Sequence, residues 1–179
     1  DLTSHPDLFH RLVREHQATV YSLAWRILSH VAAAEEVAQE VFCQLFQNGG
    51  KLETERHVLF WLRQVAARQA LDVWRRRRLR PRVGLEDAPE PVVKAPQPEP
   101  WREERLRAAM AGLPPMQRAV VTLRYQEGME PREIAAALRR PVFTVKSQLQ
   151  RGLRRLREEL AEAAPVLERS LGNEYGSGK

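Results

Sequence analysis

Residues 130–163 read EPREIAAALRRPVFTVKSQLQRGLRRLREELAEA, and this segment indicates the fold of the second half of the chain. A short helix with apolar residues at three- and four-residue spacing begins at Pro131. A turn at 139–141 separates it from a long, basic helix over about 142–163. A short helix, a tight turn and a longer basic helix in this order predict a helix-turn-helix.

The long predicted helix has two different sides. One side carries a seam of apolar residues at helical spacing: Val145, Leu149, Leu153, Leu156 and Leu160. The other side carries polar and cationic residues at i, i+4, i+7 and i+11: Thr144, Gln148, Arg151 and Arg155. Beside this stripe lie Phe143, Ser147, Gln150 and Arg154. Polar and forked side chains that face away from an apolar seam are typical of a helix that reads bases in the major groove.

The first eighty residues show the same apolar spacing, which predicts three further helices. The sequence at 4–7 resembles a capping box and begins the first helix, which is expected to bury Leu8, Leu12, Val20, Leu23, Ile27 and Leu28. The second helix, over about 32–47, buries one arc and exposes an opposite, acidic arc formed by Glu35, Glu36, Gln39 and Glu40. The third, over about 57–79, ends in four consecutive arginines.

Prolines separate the two helical regions, since six of the twelve lie between Pro81 and Pro100. Such spacing prevents a helix and favours an extended linker. We therefore predict an all-α fold with two small helical domains joined by a proline-rich linker, the second domain being a helix-turn-helix. The predicted boundaries are a first domain at 1–80, a linker at 81–100, a second domain at 101–164 and a tail at 165–179.

Composition narrows the class of protein. The 179 residues carry a formal net charge of +6 and are 43% hydrophobic, which supports packed cores and favours a negatively charged partner such as nucleic acid. The single cysteine, Cys43, excludes an internal disulfide, and no Cys/His cluster has zinc spacing. No apolar run is long enough to span a membrane, and no nucleophile motif or phosphate-binding loop is found. We expect a cytoplasmic protein without a metal, a cofactor or a catalytic site.

Three motifs follow one another in the order found in a known family. Residues 32–46, AAAEEVAQEVFCQLF, resemble the acidic helix D-A-E-D-x-x-Q-x-x-F. Residues 60–78, FWLRQVAARQALDVWRRRR, resemble the helix W-L-x-x-I-A-x-N-x-x-x-D-x-x-R-R. Residues 113–160 contain L-P-x-x-x-R, E-I-A and T-V-K-S-x-L-x-R in that order. Together they are similar to regions two and four of the extracytoplasmic-function (ECF) group of bacterial sigma factors, the smallest members of the sigma family.

The resemblance implies a role for the first two motifs. In this family the acidic helix docks on the clamp helices of the largest catalytic subunit of RNA polymerase. The implied core-polymerase contacts are Glu35, Glu36, Gln39 and Glu40. The next helix of the family engages the downstream promoter element and helps to open it. The implied contacts are Arg68, Gln69, Asp72, Arg75 and Arg76. The loop at 48–56 stands where these proteins capture a flipped base.

The last helix, by the same resemblance, reads the upstream promoter element. Base contacts are implied for Thr144, Ser147, Gln148 and Arg151. Phosphate contacts are implied for Lys146, Arg154 and Arg155. The implied partners are core RNA polymerase, promoter DNA and an anti-sigma factor, while the protein itself is not an enzyme.

Two other functions fit parts of the same sequence. A sigma mimic would use the acidic helix to sequester an anti-sigma factor without supporting transcription, although such mimics usually carry a receiver domain that this length does not hold. An ordinary helix-turn-helix regulator would bind DNA but would not need the acidic helix. Arg68 and Asp72 also have an alternative interpretation, because their i,i+4 spacing suits an ordinary ion pair on a helix as well as a contact with DNA.

Two residues around the short helix depart from the family pattern. Glu130 stands where Ser or Thr usually caps the helix, and its charge still favours a helix N-terminus. Arg139 stands in the turn where Gly is common, which predicts a turn without a left-handed residue at that position.

The aromatic and thiol side chains have alternative interpretations. Phe143 stands where the family usually has Gly, and it either folds back onto the first helix of the motif, which we favour, or contacts a thymine methyl group. Trp61 and Trp74 either stack on unpaired bases or, as we favour, pack in the core. Cys43 is either a thiol sensor or, as we favour, an incidental small residue.

Overall fold

The computed structural model describes residues 6–48, 54–79 and 100–162, and the elements in these ranges are all α-helices, which confirms the predicted fold class. They are α1 (Pro6–Leu28), α2 (Val31–Asn48), α3 (Glu55–Leu79), α4 (Pro100–Gly112), α5 (Pro115–Tyr125), α6 (Pro131–Leu138) and α7 (Val142–Glu162). Several predicted features lie outside the described residues: the start of the capping box, residues 49–53 of the base-capture loop, the linker up to residue 99 and the tail.

The first three helices pack with their apolar faces toward one another. Most of the side chains expected to be buried in α1 are buried: Leu12, Val20, Leu23, Ile27 and Leu28. The expectation for Leu8 is wrong, because it is 38% exposed. Phe9, the next residue of α1, packs against the core and occupies the inward position in its place.

The tryptophans of α3 pack against the core, as we favoured over stacking on unpaired bases. Trp61 and Trp74 are half-buried against the hydrophobic core. The guanidinium of Arg78 lies 5.3 Å from the centroid of the Trp74 ring, which is a cation–π contact. The exposed arginines at 75–78 therefore end a helix that is anchored by packed aromatic side chains.

The short helix α6 is capped by two carboxylates at its N-terminus. The backbone N–H of Glu130 donates to Oε2 of Glu133 over 2.8 Å. The Glu130 carboxylate accepts in turn from Nη1 of Arg124 over 2.7 Å. A glutamate therefore serves where Ser or Thr is usual, because its negative charge is also favourable at the positive end of the helix.

The turn between α6 and α7 differs from its prediction. Arg139 has φ 51° and ψ 50°, so the turn does contain a left-handed residue and the expectation is wrong. A non-glycine residue in this region costs about 1–2 kcal/mol. Two backbone hydrogen bonds offset this cost, from Arg140 N to Ala135 O (2.9 Å) and from Arg139 N to Ala136 O (3.3 Å). They close the C-terminus of α6 and direct the chain into α7.

Close packing of α5 and α7 fixes the orientation of the long last helix. A Cβ atom at Gly152 would lie 3.1 Å from Cγ2 of Val121, so only glycine allows this approach without a shift. Val145, Gly152 and Leu156 are buried and define the inward side of α7. The described contacts of α7 are mainly with α4, α5 and α6, and its outer side is exposed.

Helices α1–α3 form one group and α4–α7 form a second. The two groups share one hydrophobic core, although the sequence predicts two domains joined by a linker. α1 contacts α5, and α3 contacts α5 and α6. An ion pair joins Arg63 Nε of α3 to Glu127 Oε2, which follows α5, over 2.7 Å. The division into two domains stays a prediction. In this structure the two groups of helices pack against each other.

Arg118 of α5 connects the two groups through four hydrogen bonds. Its Nη1 donates to the carbonyl of Ile27 (3.0 Å) and to Oγ of Ser29 (2.8 Å). Its Nη2 donates to the carbonyls of Ala111 (2.6 Å) and Leu113 (2.9 Å). The guanidinium thus lies at the C-terminal ends of α1 and α4, where the helix dipoles favour a cation. Burial lowers the pKa of this guanidinium from its ordinary value.

Candidate protein and nucleic-acid interfaces

The acidic arc predicted on the second helix is formed by α2 and is open to solvent. Glu35, Glu36, Gln39 and Glu40 are all exposed. The opposite arc of α2 is held in the core by Ala34, Val37, Val41 and Leu45. Because this packing fixes the rotation of α2, the four polar side chains present one acidic face, which is a suitable surface for a basic partner.

An apolar groove runs beside the acidic face, between α1 and α2, and the sequence pattern does not predict it. Its floor and walls include Phe9, Val13, Tyr21, Ala38, Phe42 and Phe46. The rings of Phe9 and Phe46 are 5.0 Å apart in an edge-to-face arrangement, and Phe46 is 39% exposed. Glu35 and Gln39 also line the groove, so the acidic face and the groove form one continuous surface.

The predicted downstream-promoter residues lie along one side of α3. Asp72 and Arg75 form an ion pair of 2.9 Å, and both are exposed. Nε of Arg76 donates to the Asp72 carbonyl at 3.5 Å, and Gln69 is half-buried. Arg68 donates through Nη2 to the carbonyl of Ala136 in α6 over 3.1 Å. These contacts replace the i,i+4 ion pair between Arg68 and Asp72, which was one of two interpretations of their spacing.

A small cleft of about 200 Å³ lies where α3 meets the turn of the helix-turn-helix. Four arginines and one carboxylate line it: Arg68, Arg75, Arg139, Arg140 and Asp72. Burial and, secondarily, the charge of Arg139 lower the pKa of Arg68. The cleft therefore concentrates positive charge, which suits a phosphate group.

The predicted upstream-promoter residues lie on the outer side of α7 and on both of its flanks, with Lys146 on one flank and the stripe that begins at Thr144 on the other. Lys146, Arg151, Arg154 and Arg155 are exposed, whereas Thr144, Ser147 and Gln148 are half-buried. Oγ of Ser147 donates to the carbonyl of Thr144 over 3.1 Å, so this hydroxyl is left as an acceptor. The exposed cations thus surround a row of half-buried polar groups on the same helix.

Phe143 is the most exposed of the large apolar side chains in the described part of the chain, at 75%. The hypothesis that it folds back onto the first helix of the motif is therefore wrong. Its neighbour Val142 packs against the core instead, and Val145 is buried. Because successive residues of a helix are about 100° apart, these two anchors turn Phe143 outward.

The described ranges 6–48, 54–79 and 100–162 contain neither a candidate metal site nor a candidate membrane span. No group of three or more His, Cys, Asp or Glu within them is arranged to hold a metal ion. None of the helices in these ranges is long and apolar enough to cross a membrane. Cys43 is a free, exposed thiol that lines the groove between α1 and α2.

Comparison with known proteins identifies the family. Residues 12–80 match the family model of Sigma-70 region 2, and residues 103–156 match Sigma-70, region 4. The "RNA polymerase sigma-E factor" of Streptomyces coelicolor is 33% identical over 152 residues, which cover 85% of each chain. The "ECF RNA polymerase sigma factor SigE" of Mycolicibacterium smegmatis is 34% identical over 162 residues, covering 84% of this chain and 61% of that protein. The chain belongs to the ECF group of sigma factors.

A solved structure has a similar fold. It is described as the sigma factor RpoE in complex with the anti-sigma factor NepR from Bartonella quintana. It aligns with a TM-score of 0.69 and 19% identity over 86% of this chain and 96% of that one. Both sigma regions of our chain therefore correspond to described helices: region 2 to α1–α3 and region 4 to α4–α7.

Three structural features of this sigma factor have little or no signal in the sequence. The groove on region 2, the Arg63–Glu127 ion pair and the role of Arg118 all depend on contacts between distant parts of the chain. Only Arg118 had a sequence signal, because it is the arginine of the L-P-x-x-x-R motif. The arginine of this motif therefore makes a buried connection between the C-terminal ends of α1 and α4. The same motif also marks the start of α5.

Proposed function

We propose that this sigma factor binds core RNA polymerase, directs it to a two-element promoter and helps to melt the downstream element. The observation that carries this proposal is that two differently charged surfaces are open to solvent, one on each sigma region. An acidic face with an adjoining apolar groove lies on region 2, and an exposed cationic helix face lies on region 4. The factor would join polymerase to DNA without doing chemistry itself, in the cytoplasm.

The polymerase contact would use the whole continuous surface of α1 and α2. Glu35, Glu36, Gln39 and Glu40 would meet basic side chains of the clamp helices, and complementary charge would set the orientation. The groove would then bury apolar side chains of the partner, with Phe9 and Phe46 at its edge. Charged rims around apolar, aromatic centres are typical of protein interfaces.

The promoter contacts would divide between α7 and α3. In the upstream element, Thr144, Ser147, Gln148 and Arg151 would contact bases, while Lys146, Arg154 and Arg155 would contact phosphates. In the downstream element, Gln69, Asp72, Arg75 and Arg76 would engage the strand that is being opened. Arg68 would join them only after its side chain leaves the Ala136 carbonyl, which needs a change of rotamer at this exposed hydrogen bond.

An anti-sigma factor is the regulatory partner that we propose. The Bartonella quintana sigma factor of similar fold is seen in complex with one. The acidic face and groove of region 2 are the surface that such a partner would have to cover in order to compete with polymerase.

Base contacts and phosphate contacts on α7 are expected to respond differently to substitution. Gln148→Ala should cost about 1–3 kcal/mol and relax the preference at one base pair, because it removes a donor and an acceptor from a base edge. Arg155→Ala should weaken all promoters to a similar extent and reduce the salt slope by about one, because it removes a phosphate contact. Binding of the reconstituted polymerase to single-base promoter variants over a range of salt concentrations measures both effects.

The comparison of these two variants also supplies the control. Both truncate a polar side chain on the same flank of α7, and because Gln148 is half-buried whereas Arg155 is exposed, a melting temperature equal to that of the wild type is the folding control for each. An equal loss on every promoter variant for Gln148→Ala would argue against direct base readout by that residue.

A further inference from the structure

Phe143 occupies an unusual place for an exposed aromatic side chain. It is the second residue of α7, the helix that we propose to read the upstream element, and the N-terminal residues of such a helix are the ones that contact base edges. Single exposed apolar residues are common on protein surfaces and need no explanation by themselves. The position of Phe143 at the start of α7, rather than its exposure alone, is therefore the reason to expect a contact with a base.

The helical register places Phe143 on the outermost line of α7. The inward direction is set by the buried residues Val145, Gly152 and Leu156. At about 100° per residue, Phe143 lies within about 40° of the opposite direction, together with Ser147, Gln150, Arg154 and Glu158. The sequence-predicted stripe that begins at Thr144 is turned further toward the flank. A duplex that approached the outer line would meet the Phe143 ring.

The surroundings of Phe143 are positively charged. Lys146 follows one turn later on α7, and the exposed Arg139 and Arg140 lie in the preceding turn. A ring among exposed cations attracts a polyanion to the same place and has an apolar surface to bury against it. Among the base edges of the major groove, the 5-methyl group of thymine is the apolar one.

We infer that Phe143 is a specificity-determining residue whose ring contacts a thymine methyl group in the upstream element. This inference rests on the proposed function of α7 and adds a base preference that the polar residues do not supply. The contact is apolar, so it distinguishes thymine from uracil, which presents the same hydrogen-bonding groups without the methyl.

The test selects upstream sequences from a library in which this element is randomised, with core polymerase and, separately, with the full chain alone. The wild-type chain should enrich thymine at one position, and Phe143→Ala should lose that preference while keeping the others. Deoxyuridine is then substituted at the enriched position. It should weaken binding by the wild type about fourfold, which corresponds to ~0.8 kcal/mol for one buried methyl group, and leave Phe143→Ala unchanged.

Two variants exclude trivial explanations. Tyr125→Ala removes another exposed aromatic side chain of region 4 and should leave the thymine preference intact. Phe143→Leu keeps an apolar side chain and should retain part of the deoxyuridine effect. The melting temperature of Phe143→Ala should equal that of the wild type, because the ring is exposed.

The outcomes separate this inference from the proposed function. If transcripts form but wild type and Phe143→Ala show the same base preferences and the same response to deoxyuridine, the inference is wrong and the proposed function stands. If core polymerase is not directed to any promoter but the chain alone selects thymine through Phe143, the inference stands and the proposed function does not. Selection of no sequence by either preparation overturns both.

Discussion

Reversing two charges on the acidic face, with Glu36→Lys and Glu40→Lys together, is expected to weaken binding of the sigma factor to core RNA polymerase by about 100-fold or more. Removing one partner from a desolvated charge pair typically costs about 2–5 kcal/mol, and reversal adds repulsion to that loss. Both residues are exposed, so the change acts on the surface of the protein rather than on its core. A binding titration with labelled sigma factor and purified core polymerase measures the effect.

The double substitution should leave the folded state unchanged. Positions 36 and 40 are four residues apart, so one like-charged pair on α2 is replaced by another, with an effect of a few tenths of a kcal/mol. Glu15→Lys is the matched control, because Glu15 is an exposed carboxylate on α1 that pairs only weakly, at 3.9 Å, with Arg11. Equal affinities of the double variant and the control for polymerase would show that the acidic face is not the docking surface.

Arg118→Met is expected to destabilise the protein by about 3 kcal/mol or more, because hydrogen bonds to a charged group contribute about 1.5–3 kcal/mol each and their loss leaves buried carbonyls unpaired. The carbonyls concerned are those of Ile27, Ala111 and Leu113. For a protein of this size, the melting temperature should fall by roughly 6–12 °C. Thermal unfolding followed by circular dichroism measures the change.

Arg124→Met is the matched control for this substitution. Arg124 also lies in α5 and makes two hydrogen bonds, to the Met129 carbonyl (3.2 Å) and to Oε1 of Glu130 (2.7 Å), but both stay within region 4 and are partly exposed. Its loss should therefore cost clearly less. Melting temperatures of the two variants within a degree of each other would contradict the role of Arg118 as a buried link between the two regions.

The helices could be predicted from the sequence because their signals are local. Apolar spacing, prolines at helix starts and the order of motifs are properties of neighbouring residues, and they placed α2 and α7 within a few residues of their observed ends. The burial of Val37 and Val145 follows from the same periodicity. The error at Leu8 arose at a helix end, where two adjacent apolar residues compete for one inward position and only packing decides between them.

The failures at Arg139 and Phe143 have other physical causes. A left-handed arginine is unfavourable by itself, and only the hydrogen bonds of Arg139 and Arg140 to the preceding turn compensate for it. Phe143 was expected to pack because apolar side chains usually do, but Val142 takes the inward position beside it. The contacts of Arg68, Arg63 and Arg118 join residues far apart in the chain, and no spacing rule predicts such pairs.

The proposed role in initiation is measured by transcription with core RNA polymerase and the full chain, on templates with a randomised promoter region. We expect transcripts that start at fixed distances from two shared sequence elements, and a loss of these transcripts when Glu36→Lys and Glu40→Lys are introduced. Transcript levels no higher than those of core polymerase alone, on every template in the library, would contradict the account.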